Sequence, residues 1–471
     1  MSELFEQAKA HIHRSEWEPA IALLSRHLNT NFDDDIALWS LASCLIETGR
    51  QGIAAALLHQ ALAVRKQKGG GIFTDALASL GAAYFTMGDI ERAEGLYDAA
   101  LKHERHEPSR ADLFANLGKC CTNTGDPVRA LHFLKQAMAI RPDHDGALFS
   151  SHFAHLSLGH WREGWTAAET RFLPTVEQTQ RRIYRGLPEW DGSHGKTVIV
   201  WGEQGIGDEI LFASCIPDLV ERSAHVIIDC HPRLEALFRR SFQHCTVHGT
   251  RKVLSSLEWL DHVEPDCSIS IASLPKFFRN RDEDFPGTPY LMADIPGVVV
   301  GDSFRPRIGI AWTGGTPKTN QHVRSVPLLA LEPVFRAVDA DFYSLQYQGD
   351  AAREVCEFEE KTGIRIKHYP GWVQCRDYDK TASFVASMQL VITVGTSIHH
   401  LSNALGIPTW TLVPIRCGWR YADKGKLWYR SSSRFFRQTG TARDRGEWAS
   451  AIGEVVDELR SMDEAMREAA E

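Results

Sequence analysis

The chain has 471 residues, of which 43% are hydrophobic and 24% are charged, and its formal net charge is −8. These proportions are those of an ordinary globular protein, and the length predicts about three domains. The acidic balance and the lack of a long Lys/Arg run argue against nucleic acid as a partner.

The sequence also argues against membrane insertion and metal binding. It has no run of about 18 apolar residues, and the N-terminal stretch MSELFEQAKAHIHRSEW has no apolar core like that of a signal peptide. We therefore expect no transmembrane segment. The ten cysteines are scattered without a C-x-x-C pair, which predicts reduced thiols and a cytoplasmic location. His244, Cys245 and His248 are not matched by a second pair at zinc-like spacing, so no metal site is expected.

A turn followed by a small residue recurs along the first third of the chain. The turns contain Ser15, Gly49, Gly88, Gly125 and Gly159, and the small residues that follow them are Ala20, Ala54, Ala93, Ala130 and Gly164. The small residues are separated by 34, 39, 37 and 34 residues. Such a period indicates a stack of helix-turn-helix units, in which small residues let paired helices approach closely.

Residues 1–165 resemble the tetratricopeptide family. The pairs Leu80-Gly81 and Leu117-Gly118 occupy positions of its consensus, as do Tyr97 and Leu134. The resemblance implies an all-α solenoid with a concave groove. We expect this array to bind a protein partner, either as a scaffold or as a cradle for an extended peptide.

The most informative stretch follows a polar connector and spans residues 196–219. Thr197 to Trp201 is a short apolar run that predicts a buried strand, and an apolar-periodic segment beginning at Glu209 predicts a helix. Gly205 and Gly207 lie between them, in a loop whose backbone N–H groups could face an anion or a sugar diphosphate. From the spacing alone, the loop is either a ligand loop or a tight turn. Asp208 is either a general base or a helix cap.

A second strand-turn-helix unit lies about two hundred residues later, at residues 390–414. It predicts a strand through Val394, a turn containing Gly395, Thr396 and Ser397, a helix with His400, and a strand from Thr409. Between the two units, Pro286 to Pro296 reads as a linker, and GIAWTGG ends in Gly314 before a polar loop with Lys318 and Arg324. Alternating strands and helices predict parallel sheets, here two nucleotide-fold lobes facing a cleft.

These motifs occur in an order that resembles the bacterial tetratricopeptide-linked glycosyltransferases, whose catalytic part is similar to the family 9, heptosyltransferase-like enzymes. The motifs are GEQGIGDEILF, SLP, GIAWTGG, RSVPL, SLQ, TSIHHLSNALG, PTWTLVP, GWRY and RFFRQ. The resemblance implies the two-lobed GT-B fold. It assigns residues 166–300 to an acceptor-side lobe and residues 301–471 to a nucleotide-sugar lobe that ends in a charged amphipathic helix.

The resemblance also implies roles for individual residues. Asp208 matches the catalytic base that deprotonates the acceptor hydroxyl. Thr396, Ser397 and His400 match the turn and helix that bind the donor diphosphate. Arg324 and Lys318 are candidates for the basic residues that neutralise it, and of these two only Arg324 lies in a matching motif. The nucleotide-sugar is then a co-substrate, and neither a cofactor nor a metal is needed because a helix N-terminus and basic side chains can stabilise the leaving diphosphate.

One position departs from the family. Heptosyltransferases carry an acid just before the threonine of the second turn, whereas this chain has Gly395. Three functions therefore stay open: a glycosyltransferase whose acceptor is a protein such as flagellin or another surface protein, a repeat scaffold with an inactive transferase domain, and a heptosyltransferase-like enzyme of lipopolysaccharide synthesis. From the residues alone, Thr396 and Ser397 could simply cap a helix, and His400 could be a satisfied core histidine.

Overall fold

The computed structural model divides into two compact units, Met1–Ala154 and His155–Glu471. It describes residues 2–176, 179–251, 257–294, 305–315, 321–347, 349–374, 376–440 and 447–470. The limits of the three domains predicted from the sequence stay a prediction.

The first unit is built from consecutive helices, and each of the first seven packs against the helix that follows it. They are α1 (Glu3–His13), α2 (Trp17–Leu28), α3 (Asp35–Glu47), α4 (Gln51–Gln67), α5 (Thr74–Thr86), α6 (Ile90–His103), α7 (Glu107–Thr124), α8 (Pro127–Ile140) and the larger part of α9 (Asp145–Leu158). The expected all-α array is therefore present.

The turns that set the sequence period adopt a left-handed backbone conformation. Ser15, Gly49, Gly88, Gly125 and Gly159 have φ angles of 57°, 80°, 83°, 79° and 76°. Glycine adopts this conformation without a steric penalty, which explains why it occupies four of these five turns.

The small residues of the repeat lie at the closest helix contacts. Ala20, Ala54, Ala93 and Ala130 are fully buried. A Cβ atom on Gly118 would lie 2.6 Å from Cγ of Leu134, so a larger residue there would separate α7 from α8. Close approach of paired helices is thus the physical reason for the repeat.

The second unit begins with the end of α9 and α10 (Trp161–Ala168) and contains two parallel sheets. The first has the order β3-β2-β1-β4 among the described residues. Its elements are β1 (Thr197–Trp201), α11 (Ile206–Ala213), α12 (Ile216–Arg222), β2 (His225–Asp229), α13 (Glu235–Ser241), β3 (Cys245–His248), β4 (Cys267–Ser270) and α14 (Pro275–Phe278). The predicted strand 197–201 is confirmed, whereas α11 begins three residues before the predicted start at Glu209.

The second sheet has the order β10-β9-β8-β5-β6-β7 in the described part of the chain. Its elements are β5 (Arg307–Ala311), α15 (Gln321–Arg324), α16 (Glu332–Phe335), β6 (Asp341–Ser344), α17 (Ala351–Thr362), β7 (Lys367–His368), α18 (Pro370–Val373), α19 (Tyr378–Ala386), β8 (Leu390–Val394), α20 (Ser397–Ala404), β9 (Thr409–Val413), β10 (Ser433–Arg437) and α21 (Ala449–Ala470). The predicted second strand-turn-helix unit and the C-terminal helix are confirmed.

Each sheet has a point where the strand order reverses. In the first sheet β1 pairs with both β2 and β4, and in the second β5 pairs with both β6 and β8. Loops that leave the carboxyl ends of neighbouring strands at such a point diverge and leave a crevice. The Gly205 loop follows β1, and Gly314 and Gly395 follow β5 and β8, so the predicted loops occupy these positions.

Candidate functional site

Asp208 lies in the first turn of α11, where it is held by two partners. Its Oδ2 accepts a hydrogen bond from the backbone N–H of Gly205 at 3.2 Å. Its Oδ1 is 2.6 Å from Nη2 of Arg420. Of the two possibilities left open by the sequence, the helix cap is therefore present in the structure, and the carboxylate also takes part in an ion pair.

The turns after β5 and β8 touch each other. A Cβ on Gly314 would lie 2.8 Å from the carbonyl oxygen of Gly395, so only glycine fits at position 314 without a shift. The Nη2 of Arg324 donates to that same carbonyl. Two of the predicted loop glycines and one predicted basic residue thus form a single cluster at the switch point of the second sheet.

The first turns of α11 and α20 face each other directly. A Cβ on Gly207 would lie 3.1 Å from Cδ2 of His400 and 3.2 Å from Cα of Ser397. The glycine loop of one sheet is therefore in contact with the helix start of the other. The structure brings together the predicted residues Gly205, Gly207 and Asp208 with the predicted residues of α20.

His400 is buried between two tyrosines. Its Nδ1 lies 3.1 Å from the hydroxyl of Tyr429, and its Nε2 lies 3.3 Å from the hydroxyl of Tyr421. Burial, together with the positive charges of Arg420 and Arg324, lowers the pKa of His400 to about 3. The imidazole is thus neutral and hydrogen-bonded, as the interpretation as a core histidine predicted.

Thr396 stands at the N-cap position of α20 but does not cap it. No side-chain hydrogen bond closes this helix start, and the Thr396 hydroxyl instead donates to the hydroxyl oxygen of Tyr347 at 3.3 Å. The capping role that its residue type predicted is therefore wrong for Thr396. The reason is that the hydroxyl turns towards Tyr347, which leaves the first N–H groups of α20 without this side-chain oxygen.

An open cavity of about 470 Å³ adjoins this turn. Its lining includes Arg233 from the first sheet region and, from the second, Tyr347, Gly349, Val373, Gln374 and Arg376. Because Tyr347 also contacts Thr396, the cavity and the start of α20 share a wall. Of the predicted donor-binding residues, Lys318 lies outside the described residues.

Sequence reasoning gave no role to Glu209, the neighbour of Asp208. Its side chain is fully buried. The carboxylate accepts a hydrogen bond from the backbone N–H of His231 at 2.9 Å and forms an ion pair with Arg251. Burial raises the pKa of Glu209 to about 7, although the attraction of Arg251 opposes the rise. An acid directly before the apolar run Ile210-Leu211-Phe212 is the sequence signal for a buried, paired carboxylate.

A second buried ion pair supports the glycine loop from the other side. Arg171 and Glu203 are 4% and 2% exposed, and Nη2 of Arg171 is 2.7 Å from Oε1 of Glu203. The same guanidinium donates to the hydroxyl of Ser273, in the SLP motif, at 2.8 Å. Because Glu203 is the second residue after β1, this network fixes the start of the loop.

The described ranges contain no group of three or more His, Cys, Asp and Glu side chains arranged to hold a metal ion. None of their helices combines the length and the apolar character that crossing a bilayer requires.

Residues 73–143 match the family model described as tetratricopeptide repeat. The chain therefore carries tetratricopeptide repeats, a fold that serves as a scaffold for protein partners. Protein FlbA of Caulobacter vibrioides is 26% identical over 409 residues, which covers 75% of this chain and 67% of that protein.

Two solved structures also resemble part of the chain. The structure of PilF of Pseudomonas aeruginosa covers 38% of this chain and 76% of its own, with 14% identity and a TM-score of 0.32. A structure of MamA covers 38% of this chain and 96% of its own, with 15% identity and a TM-score of 0.30.

Proposed function

We propose that this chain is a metal-independent, inverting glycosyltransferase that moves a sugar from a nucleotide-sugar to a protein acceptor bound by the repeat unit. The observation that carries the proposal is the meeting of two helix starts, α11 with Asp208 and α20 with Thr396 and Ser397. Arg324 and Arg420 both lie at this meeting point, since Arg420 pairs with Asp208 and Arg324 donates to the carbonyl oxygen of Gly395.

The first requirement is a site for the donor diphosphate. The start of α20 offers backbone N–H groups and the positive end of a helix dipole, and the Thr396 side chain does not occupy them. Arg324 lies beside this turn through its bond to the Gly395 carbonyl. A charged leaving group at this point would be stabilised without a metal ion.

The second requirement is a base for the acceptor hydroxyl. Asp208 is 25% exposed, so an acceptor can reach its carboxylate. It would take the hydroxyl proton while the oxygen attacks the anomeric carbon and the diphosphate leaves from the opposite face. A single base and a single displacement invert the configuration of that carbon.

The test begins with thermal unfolding of the full chain against UDP, GDP, ADP, CMP and their sugar conjugates. A ligand at 100 times its dissociation constant adds about 2.7 kcal/mol to the stability of the unit that binds it. We expect stabilisation by one nucleotide class, loss of that effect in Arg324→Ala, and transfer from the matching donor to a protein acceptor. Full transfer by Asp208→Asn at saturating donor would refute the assignment of the base.

A second candidate is a repeat scaffold whose second unit has lost activity. It is favoured by the ion pair between Asp208 and Arg420, which occupies the carboxylate, and by the glycine at position 395. This candidate predicts capture of a protein partner by the repeat unit with no stabilisation by any nucleotide in the panel.

A further inference from the structure

The guanidinium of Arg420 lies between Asp208 and the glycine loop. Its Nη2 is 2.6 Å from Oδ1 of Asp208 and 3.3 Å from Oε1 of Gln204. The two charged side chains are 21% and 25% exposed, so solutes can reach the pair. An ion pair in such a position is held by modest net attraction, because water and salt screen it.

The guanidinium of Arg420 also lies near two aromatic rings. Its central carbon lies 4.5 Å from the ring centroid of Trp419 and 5.9 Å from that of Phe212, and both rings are buried. Its Nε is buried and has no hydrogen-bond partner in the described part of the chain. The head group can therefore exchange one anionic partner for another while it stays on the aromatic surface.

The surroundings of Arg420 favour a second anion. The charged groups that act on the neighbouring Tyr421 hydroxyl include Arg324, Arg420 and Asp208. Positive charge outweighs negative charge among these three groups. A diphosphate carries more charge than one carboxylate and offers oxygens that suit the planar guanidinium, so it competes well for Arg420.

We propose that Arg420 is a shared cation, which pairs with Asp208 in the free protein and transfers to a diphosphate anion when one binds. The inference rests on the proposed function, in which Asp208 is the base and the diphosphate belongs to the donor. Asp208 then stays ion-paired with Arg420 until the donor binds. Only after donor binding is its carboxylate available to deprotonate the acceptor hydroxyl.

The test is a double-substitution cycle that measures binding of inorganic pyrophosphate by calorimetry. The proteins are the full chain, Asp208→Asn, Arg420→Ala and the double variant. We expect Asp208→Asn to tighten binding by about fivefold, because the competing carboxylate is gone. Arg420→Ala weakens binding by about tenfold, and Arg420→Lys, which keeps the charge, falls between it and the unaltered chain.

The decisive comparison is the double variant. If Arg420 changes partner from Asp208 to the anion, then Asp208→Asn does not change pyrophosphate affinity in a chain that also carries Arg420→Ala. Equal tightening in both backgrounds would mean simple repulsion of the anion by Asp208 and would overturn the proposal, as would lack of pyrophosphate binding by the unaltered chain. Arg434→Ala removes a different ion-paired arginine, the partner of Glu458, and serves as the control with unchanged affinity.

Two further measurements are needed. One identifies variants that fail to fold, and the other tests the shared cation independently of the proposed transferase activity. Melting temperatures of all variants identify any that fail to fold, and Arg420→Lys then carries the comparison in place of Arg420→Ala. Coupled pyrophosphate binding without sugar transfer from any donor would leave Arg420 as a shared cation and refute the transferase. Sugar transfer without coupling would refute the shared cation and leave the transferase.

Discussion

The ring of Tyr421 fills the space that a side chain at position 395 would need. A Cβ on Gly395 would lie 2.8 Å from Cε2 and from Cζ of this ring. The Tyr421 hydroxyl in turn lies 3.3 Å from Nε2 of His400. The glycine that departs from the heptosyltransferase pattern is thus explained by packing, since an acid at this position and the tyrosine could not both fit.

We therefore predict that Gly395→Ala destabilises the second unit by about 1–3 kcal/mol, because the added methyl group overpacks a buried contact with the Tyr421 side chain. The measurement is the melting temperature of the full chain. The penalty should shrink in a Tyr421→Ala background, where the ring is absent. Gly453→Ala in α21, where a Cβ would meet nothing within 4 Å, is the control. Equal melting temperatures for Gly395→Ala and the unaltered chain would contradict the prediction.

The repeat unit offers a matched pair of glycine substitutions. Gly118→Ala places a methyl group against Leu134, 2.6 Å from its Cγ, and should lower stability by about 1–3 kcal/mol. Gly95→Ala, on an exposed face of α6 with nothing within 4 Å, should raise it by about 0.5–1 kcal/mol through helix propensity. Circular dichroism at the helix band during thermal unfolding measures both. The same sign for both variants would show that close packing does not set the repeat.

Glu209 should make the second unit less stable as pH rises. Its folded pKa of about 7 lies above its ordinary value of 4.5, so the folded state binds more protons in the interval between them. The stabilising contribution is complete below about 4.5 and is lost as pH rises through about 7. Urea midpoints for the unaltered chain and Glu209→Gln should therefore diverge across this window, in favour of the variant at higher pH.

The comparison near pH 4 is the internal control for Glu209. There the carboxyl is mostly protonated in both states, so the difference reports mainly the cost of the substitution. Parallel midpoint curves from pH 4 to pH 8 would contradict the assignment of Glu209 as a buried carboxyl with a raised pKa.

His400 should act in the opposite direction. Its folded pKa of about 3 lies below its ordinary value of 6.5, so the unfolded state binds more protons as pH falls through this interval. The unaltered chain should therefore lose stability from about pH 6.5 downwards more steeply than His400→Gln. At pH 8 the imidazole is neutral in both states, and the difference there measures the lost contacts to Tyr421 and Tyr429. A steeper loss of stability with falling pH in His400→Gln than in the unaltered chain would contradict the prediction.

Local elements were predictable wherever a short pattern of residue types decides the backbone. The apolar runs 197–201 and 390–394 are strands with those limits, and the glycine turns of the repeat have positive φ. The predicted start of α11, Glu209, is three residues too late, because the sequence pattern assigns Ile206 and Gly207 to the loop. The backbone N–H of Gly205 bonds to Asp208, which closes the first turn of the helix earlier.

The candidate site was predictable only in part. The sequence identified Asp208 and the α20 turn as separate pieces, and the order of strands explains why their loops lie at the switch points of two sheets. It did not identify the partner of Asp208, because Arg420 lies more than two hundred residues away and no spacing rule connects them. Thr396 has the residue type of a cap, yet Tyr347 provides a competing partner from another strand end.

The repeat array, the strands and the glycine turns follow from local sequence, because periodic burial and the φ angles that glycine allows are properties of neighbouring residues. The ion pair of Arg420 with Asp208, the exclusion of a side chain at position 395 by Tyr421 and the burial of Glu209 beside Arg251 arise only in the folded chain. Each of these contacts joins segments distant in the chain, and its energy depends on burial and distance, which residue order alone does not specify.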